Sequence, residues 1–572
     1  MKLFYAFLFL FTGAQIFGQN NYYVSTSGSN SNPGTINAPW ATIQHAAYNV
    51  VSGDVVNVRA GTYNEKVQIS TSGTAANPII FKSYNGENVI IDGTGISITE
   101  AILSLWDVSY IHIDGFKIRN NTMLDAIGIL SEGLSAGIEI RNNEISNINW
   151  SSNPSAVPNT TQNAQPLIIR DTYSSNVINN IIIENNIVRD CRPGFSEALT
   201  LTGNVDGFEI RYNQVYNIQN IGIDVVGHYG TAATNDQVRN GKIYQNDIYN
   251  CKSPYATAAG IYVDGAKDIN IERNRVYDNQ WGIEVGCEEQ GSTSGIQVIN
   301  NLIYDNDDAG LAMGGYDYPN SGKVENCVYR NNTFYNNDKL PDAMGYYTGD
   351  IFLSYTENCT IENNIFFVTN PDNTAMYQYN ASSFGYNFDY NIYYSATAGI
   401  GFEFEGTYYG SLSAYQSGSM VDVNSFSGNP NFVNAAIDDF QLNVGSPAID
   451  AGNPSTILQP NELDYLGNVR IASSIIDIGA SEYGSTGTQE YILDVDCIAI
   501  TYEPDMSKVY ITGDFTDKNI TIVNASNSVI QNLNGLSSPI ILDVSTLPSG
   551  QHFLVVEDGS DPSLNICDLI KQ

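Results

Sequence analysis

Short runs of alternating apolar and other side chains recur through the middle of the chain, each closing on an asparagine that an apolar pair follows. The pattern reads IEIRNNEI at 138–145, IIIENNIV at 181–188, FEIRYNQV at 208–215 and KIYQNDIY at 242–249. It continues as INIERNRV at 269–276, IQVINNLI at 296–303, YRNNTFY at 329–335 and TIENNIFF at 360–367. A period of two predicts strands, and no stretch here sustains the 3.6-residue period of an amphipathic helix. The aligned residues Asn143, Asn186, Asn213, Asn246, Asn274, Asn301, Asn332 and Asn364 are 43, 27, 33, 28, 27, 31 and 32 residues apart. A shortest period in the twenties with swollen coils between predicts a solenoid whose loops project on one side.

Strands that return once per coil in the same sense pair in parallel, roughly 4.8 Å apart, so equivalent side chains stack. The repeated asparagine is therefore expected to form a hydrogen-bonded ladder along the axis, at a turn. An all-β fold class follows, with a parallel β-helix as its main body. The rival solenoid, a leucine-rich repeat, lacks its leucine spacing here. Cys327 and Cys359 each follow Glu-Asn and are expected to stack as buried thiols in neighbouring coils.

The first stretch carries YYVSTSGSNSNPGT (22–35), PWATIQHAA (39–47), SGDVVNVRAGTYNE (52–65) and GTAANPIIFKSYNGENVIIDGTG (73–95). With these motifs the chain resembles right-handed parallel β-helix proteins of the pectate-lyase superfamily, including the ninth polysaccharide lyase family. The resemblance implies a right-handed helix, an N-terminal cap over its first coil, and action on polysaccharide. That lyase family's lysine base has no counterpart assignable here, so its activity is not carried over. GSPAIDAGN (445–453) and LDYLGNVRIASSIIDIGASEY (463–483) resemble a short module found behind β-helices in surface-exported bacterial proteins. Its Asp450, Asp464 and Asp477 are read as structural turns. VYITGDFTDKNITIVNASNSVI (509–530) and STLPSGQHFLVV (545–556) resemble a type IX secretion sorting domain, which implies a small C-terminal β-sandwich and the type IX machinery as a partner. The expected organisation is a signal peptide at 1–18, the right-handed β-helix at 19–400, its end and the module at 401–487, and the sandwich at 488–572.

The 572 residues hold 24 Lys and Arg against 61 Asp and Glu, a formal net charge of −37, with only 15% of residues charged and 42% hydrophobic. So much apolar material excludes a disordered acidic chain, and so acidic a surface argues against nucleic acid as a partner. Lys2 followed by the apolar run Leu3–Phe11 and a small residue at Gly18 predicts the signal peptide. No later segment reaches the ~18 apolar residues that a membrane helix needs. A secreted monomer is expected, extracellular or on the surface of a Gram-negative bacterium. Seven scattered cysteines without a C-x-x-C make neither a disulfide framework nor a zinc site.

Candidate chemistry follows from stacking. ALTLTG (198–203), GIDVVG (222–227), GIYVDG (260–265), GIEVGC (282–287) and GLAMGG (310–315) align as successive strands. One outward row is Thr200, Asp224, Tyr262, Glu284 and Ala312, and the next is Thr202, Val226, Asp264, Gly286 and Gly314. Asp224, Asp264 and Glu284 then form one patch, with neighbouring Cα atoms roughly 8 Å apart. Paired carboxylates at such spacing are the acid and base of a glycosidase, and crowding raises the pKa of the group that must donate. These three with His228 are the candidate catalytic residues. Glu197, Arg239, Tyr262, Trp281, Tyr316 and Asp317 are candidate substrate contacts, with Arg239 suited to an anionic substituent and the rings to sugar faces. Gly222, Gly260, Gly282 and Gly310 are expected to leave a shallow groove, while Glu288, Glu289, Asp307 and Asp308 read as solvated turns. No metal is assigned; calcium at Asp224, Asp264 and Glu284 is the alternative, as a polysaccharide lyase with His228 or Tyr262 as base would require. The favoured expectation is a glycoside hydrolase acting on a cell-wall or algal polysaccharide, an anionic or sulfated one included. A calcium-dependent lyase stands second and a non-catalytic glycan-binding adhesin third.

Overall fold

The computed structural model describes residues 20–484, apart from 96–100, 172–174, 341–347, 370, 371, 373, 380–382 and 398, and the backbone of further strands between 490 and 571. The expected signal peptide lies outside the described residues. Three long sheets of sixteen, thirteen and twelve strands run side by side along one axis, each coil giving a strand to each sheet. Successive coils pair in parallel, and the antiparallel strand Thr407–Tyr409 closes the thirteen-stranded sheet. This is the predicted β-helix. Its interior is a continuous column of Ile, Val, Leu and Phe.

The asparagines explain how the chain turns. The residue before each ladder asparagine is left-handed: Asn142, Asn185, Tyr212, Gln245, Arg273, Asn300, Asn331 and Asn363 have φ between 52° and 59°. Asparagine visits that region more readily than other side chains, which accounts for the repeated Asn-Asn. The second asparagine turns inward. Asn274 accepts from the backbone N–H of Asn246 at 3.0 Å and from its Nδ2 at 3.0 Å, and donates to Ile243 O at 2.9 Å. The same bonds link Asn143 through Asn364, and the ladder runs one coil further, to Asn391.

A second interior ladder was not foreseen. Asn279, Asn306 and Asn337 pass the same bond from coil to coil, and Cys251 N donates to Asn279 Oδ1 at 3.0 Å. Each lies five residues after a first-ladder asparagine, a spacing present in the sequence. The column Gly222, Gly260, Gly282 and Gly310 faces these groups from inside: a Cβ on Gly260 would meet Asn279 Nδ2 at 2.7 Å, and one on Gly310 would meet Asn337 Nδ2 at 2.7 Å. The glycines therefore make room for the interior ladder and do not open an outer groove.

Both ends are covered. Helix Ile43–Asn49, N-capped by Thr42, lays Ile43, Ala46 and Ala47 on the first coil. At the other end helix Leu412–Ser419 inserts Tyr415, stacked on Phe402 at 4.6 Å. Covering the apolar cross-section of a solenoid is what such caps do. The module then returns along the asparagine turns, where Asn300 donates to Glu462, Asn331 to Asp477 O and Asn363 to Thr456. Arg330 and Glu462 close a buried ion pair beneath it. The carboxylates of Asp464 and Asp477 are taken up by backbone N–H groups of Asn468, Glu482, Asp450 and Tyr483, as structural turns require. Beyond residue 489 the strands form two four-stranded antiparallel sheets. Cys191, Cys251, Cys287, Cys327 and Cys359 are buried free thiols, with Cys327 and Cys359 in adjacent coils. Among the described residues no helix is long and apolar enough to cross a membrane.

Candidate active site

The thirteen-stranded sheet carries the strands Leu199–Thr202, Ile223–Val226, Ala259–Asp264, Trp281–Gly286 and Leu311–Gly314 in that order. Their register sets Thr200, Asp224, Tyr262, Glu284 and Ala312 in one row, then Phe352 and Tyr377 from the next two coils. Asp264 lies opposite Val226 and Gly286, one strand and two residues from both Asp224 and Glu284, a Cα separation of roughly 8 Å.

Exposure divides the row. Asp224 and Asp264 are 3% and 2% exposed, although both face outward from the tube. The Tyr262 ring lies between Asp224 and Glu284 and leans over Gly286, where a Cβ would meet its Oη at 2.7 Å. Tyr262 Oη donates to Glu288 Oε1 at 3.4 Å, and Tyr229 Oη donates to Glu288 Oε2 at 3.1 Å. Glu288 in turn gives its backbone N–H to Asp264 Oδ1 at 2.8 Å. Glu288 is exposed in a turn, as expected, yet these bonds tie it to the acidic patch. Asp308 departs from the expected solvated turn: it is buried and accepts from Trp281 Nε1 at 3.2 Å.

Glu284 and Glu288 line a cleft of about 460 Å³ whose other walls include Tyr262, Trp281, Tyr316, Phe352 and Tyr379. Among the described residues lining it, none is Lys, Arg or His. Trp281 reaches this outer side because Gly282 faces inward behind it, and its ring meets Phe352 at 5.6 Å. Asp224 and Asp264 do not line the cleft.

Several expected helpers stand elsewhere. Arg239 opens a strand of the sixteen-stranded sheet, where Asp206 at 3.1 Å and Gln237 O at 3.0 Å hold it. His228 turns its ring to Ser292 O at 3.4 Å and Gln237 at 3.3 Å, and bonds none of the three carboxylates. Asp317 folds back on Ser321 and Asn320 in an exposed turn. Glu197 joins the acids themselves, accepting from Thr200 Oγ1 at 3.0 Å.

The electrostatics are one-sided. Burial, followed by the charges of Glu197, Asp264, Glu288 and Glu284, pushes Asp224 well above the usual carboxylate range. Burial, then Glu288 and Asp264, does the same to Glu284. Asp264 is pushed up to about 7 by burial and Glu288, against the Glu288 N–H and the Tyr229 hydroxyl. Glu197 rises to about 7 through burial, opposed by Thr200 and its own N–H and reinforced by Glu288. None of the main causes of these shifts, among the described residues, is a cation. Among the described residues no three acidic, His or Cys groups could hold a metal ion, so the calcium set Asp224, Asp264 and Glu284 does not fit, and no step is derived through it.

A pH dependence follows. The folded chain keeps protons on these carboxyls that the unfolded chain releases near pH 4. Over roughly pH 4–7 the folded state binds more protons, so stability is full below that window and falls as pH rises through it. Thermal melts at constant ionic strength should show the melting temperature dropping from pH 5 to pH 8. Asp224→Asn should flatten the slope and raise the melting temperature at pH 8; an unchanged slope would show that Asp224 is ionised without penalty.

A closed solenoid of three parallel sheets with a carboxylate cleft on one outer face defines a β-helix protein. The family description "Pel9A-like, right handed beta helix region" matches residues 22–219, and "Right handed beta helix region" matches 229–327. The uncharacterized protein YwoF of Bacillus subtilis (strain 168) is 35% identical over 462 residues, 77% of this chain and 95% of that protein. The chain belongs to the right-handed β-helix family that includes YwoF. The pectate lyase PEL9 of Emericella nidulans is 43% identical over 83 residues, 14% of this chain and 20% of PEL9. Among solved structures, pectate lyase Pel9A superposes with a TM-score of 0.42 at 14% identity, covering 81% of this chain and 96% of its own. A structure described as a glycoside hydrolase gives a TM-score of 0.40 at 12% identity, covering 66% and 97%.

Proposed function

We propose that the protein is a secreted glycoside hydrolase acting on a polysaccharide, with Glu284 as general acid and Glu288 as the facing carboxylate. The observation that carries this reading is the cleft itself: a largely buried carboxyl, a second carboxyl on the same wall, aromatic rings around them and no basic side chain among the described lining residues. Burial beside Glu288 and Asp264 keeps a proton on Glu284, where it can pass to the glycosidic oxygen as the bond to the anomeric carbon breaks. Glu288 activates the water that supplies the new anomeric oxygen, or attacks that carbon directly; carboxyl spacing decides which. Asp264 positions Glu288 through its backbone N–H. The type IX sorting domain remains part of this proposal as the route of export.

A lyase is the second reading, favoured by the Pel9A-like match over 22–219. β-Elimination needs a base for the proton beside a uronate carboxylate and positive charge facing that carboxylate. The Glu288 carboxylate would repel it, and no Lys, Arg or His is among the described residues lining the cleft. Incubation with a polysaccharide panel separates the readings. Hydrolysis yields new reducing ends without ultraviolet absorbance, elimination yields a conjugated double bond that absorbs, and a binding protein yields neither.

A further inference from the structure

The wall of the cleft speaks to what enters it, and this inference rests on the proposed polysaccharide site. Upstream of Tyr262 the outward row is closed: Leu130, Ile168 and Thr200 are 0%, 2% and 2% exposed. Downstream it opens from Phe352 onward, past the buried Ala312. Ala312 stands one coil beyond Glu284, roughly 4.8 Å, and Phe352 another coil on, roughly 10 Å from Glu284. Ala312 is buried where the Trp281 and Phe352 rings meet, and Tyr379, 56% exposed, continues the aromatic face with its ring 6.2 Å from Phe352. Rings at coil spacing offer successive sugars an apolar face, and such contacts do not depend on charge.

Charge selects against the alternatives. A uronate or sulfate seated here would meet the Glu288 carboxylate at short range, with no Lys, Arg or His among the described residues of the wall. Bringing like charges together in a partly desolvated cleft is costly, and one repulsive element of this kind suffices to exclude a partner. We propose that the cleft binds the terminal sugars of an uncharged glycan, with Phe352 and Tyr379 as the platform for the residues beyond the cleavage point. An anionic or sulfated polymer is not the substrate.

Calorimetric titration of the full chain carrying Glu284→Gln tests this without turnover. Xylohexaose, cellohexaose, mannohexaose and maltohexaose are compared with hexagalacturonate and hexamannuronate at 20 mM and 500 mM salt. At least one neutral hexaose should bind, and neither uronate should bind at 20 mM salt. Phe352→Ala and Tyr379→Ala should each weaken binding by roughly tenfold, the loss of one stacked ring, with an unchanged melting temperature, and Phe352→Tyr should restore it. Tighter binding of either uronate, no binding by any neutral hexaose, or unaltered affinity in both alanine variants would overturn the proposal. The wild-type chain binding a neutral hexaose without ever cutting it would instead sink the hydrolase reading and leave this one standing.

Discussion

Glu284→Gln is expected to lower kcat on polysaccharide by roughly a thousandfold, the middle of the range for removing a general acid, with little change in KM. Glutamine keeps the shape and the hydrogen-bonding reach of the side chain but carries no transferable proton at neutral pH. The loss should shrink on aryl glycosides whose leaving group departs without protonation, because the acid's work is then done by the substrate. That split separates a chemical role from a packing role. Asp224→Asn should cost far less, since Asp224 is sealed behind Tyr262 and does not line the cleft. The pH profile carries the same signature. Activity should fall on the alkaline side as Glu284 loses its proton, and Asp264→Asn should move that limb to lower pH by removing one of the charges that holds the proton in place. Turnover within tenfold of wild type in Glu284→Gln would show that another group donates.

Much of this arrangement was legible in the sequence because a solenoid converts spacing into position. Once the asparagine repeat sets the coil, alternation decides which residues face out, and the observed register put Asp224, Tyr262 and Glu284 in the expected row. What the alternation does not contain is the loop that lies over the row. Tyr229 and Glu288 come from corners between strands, and their bonds to each other and to Asp264 follow from how those corners fold back. For the same reason two acids that point outward are nevertheless buried. The glycine column failed for a different cause. Strict alternation places Gly260 and Gly282 outside, yet two consecutive residues face inward there, Gly282 and Ile283, which sends Trp281 out to the cleft. Arg239, expected beside the patch as a substrate contact, begins a strand of the sixteen-stranded sheet, on another wall.

Asn274→Ala should destabilise the β-helix by roughly 4 kcal/mol, the cost of two buried backbone groups left without partners. The Asn246 N–H loses the Asn274 Oδ1 acceptor, and Ile243 O loses the Asn274 Nδ2 donor, in an interior where neither has access to water. A urea titration of the full chain reads the change as a shift in midpoint. The exposed turn gives the control. Asn250 also bonds along the axis, to Asn217 at 2.8 Å, but in contact with solvent. Asn250→Gly keeps the left-handed backbone and should move stability by no more than about 0.5 kcal/mol, as for a surface substitution with no buried partner. If the two variants matched, the ladder would be a consequence of the coil and not one of its supports. A large difference would locate the specificity of the fold in the interior asparagines, because each coil of a solenoid is held only by its neighbours and an orphaned pair weakens two interfaces together. The acidic cleft depends on that register: a slip of one residue would turn Asp224, Glu284 and Asp264 into the apolar interior.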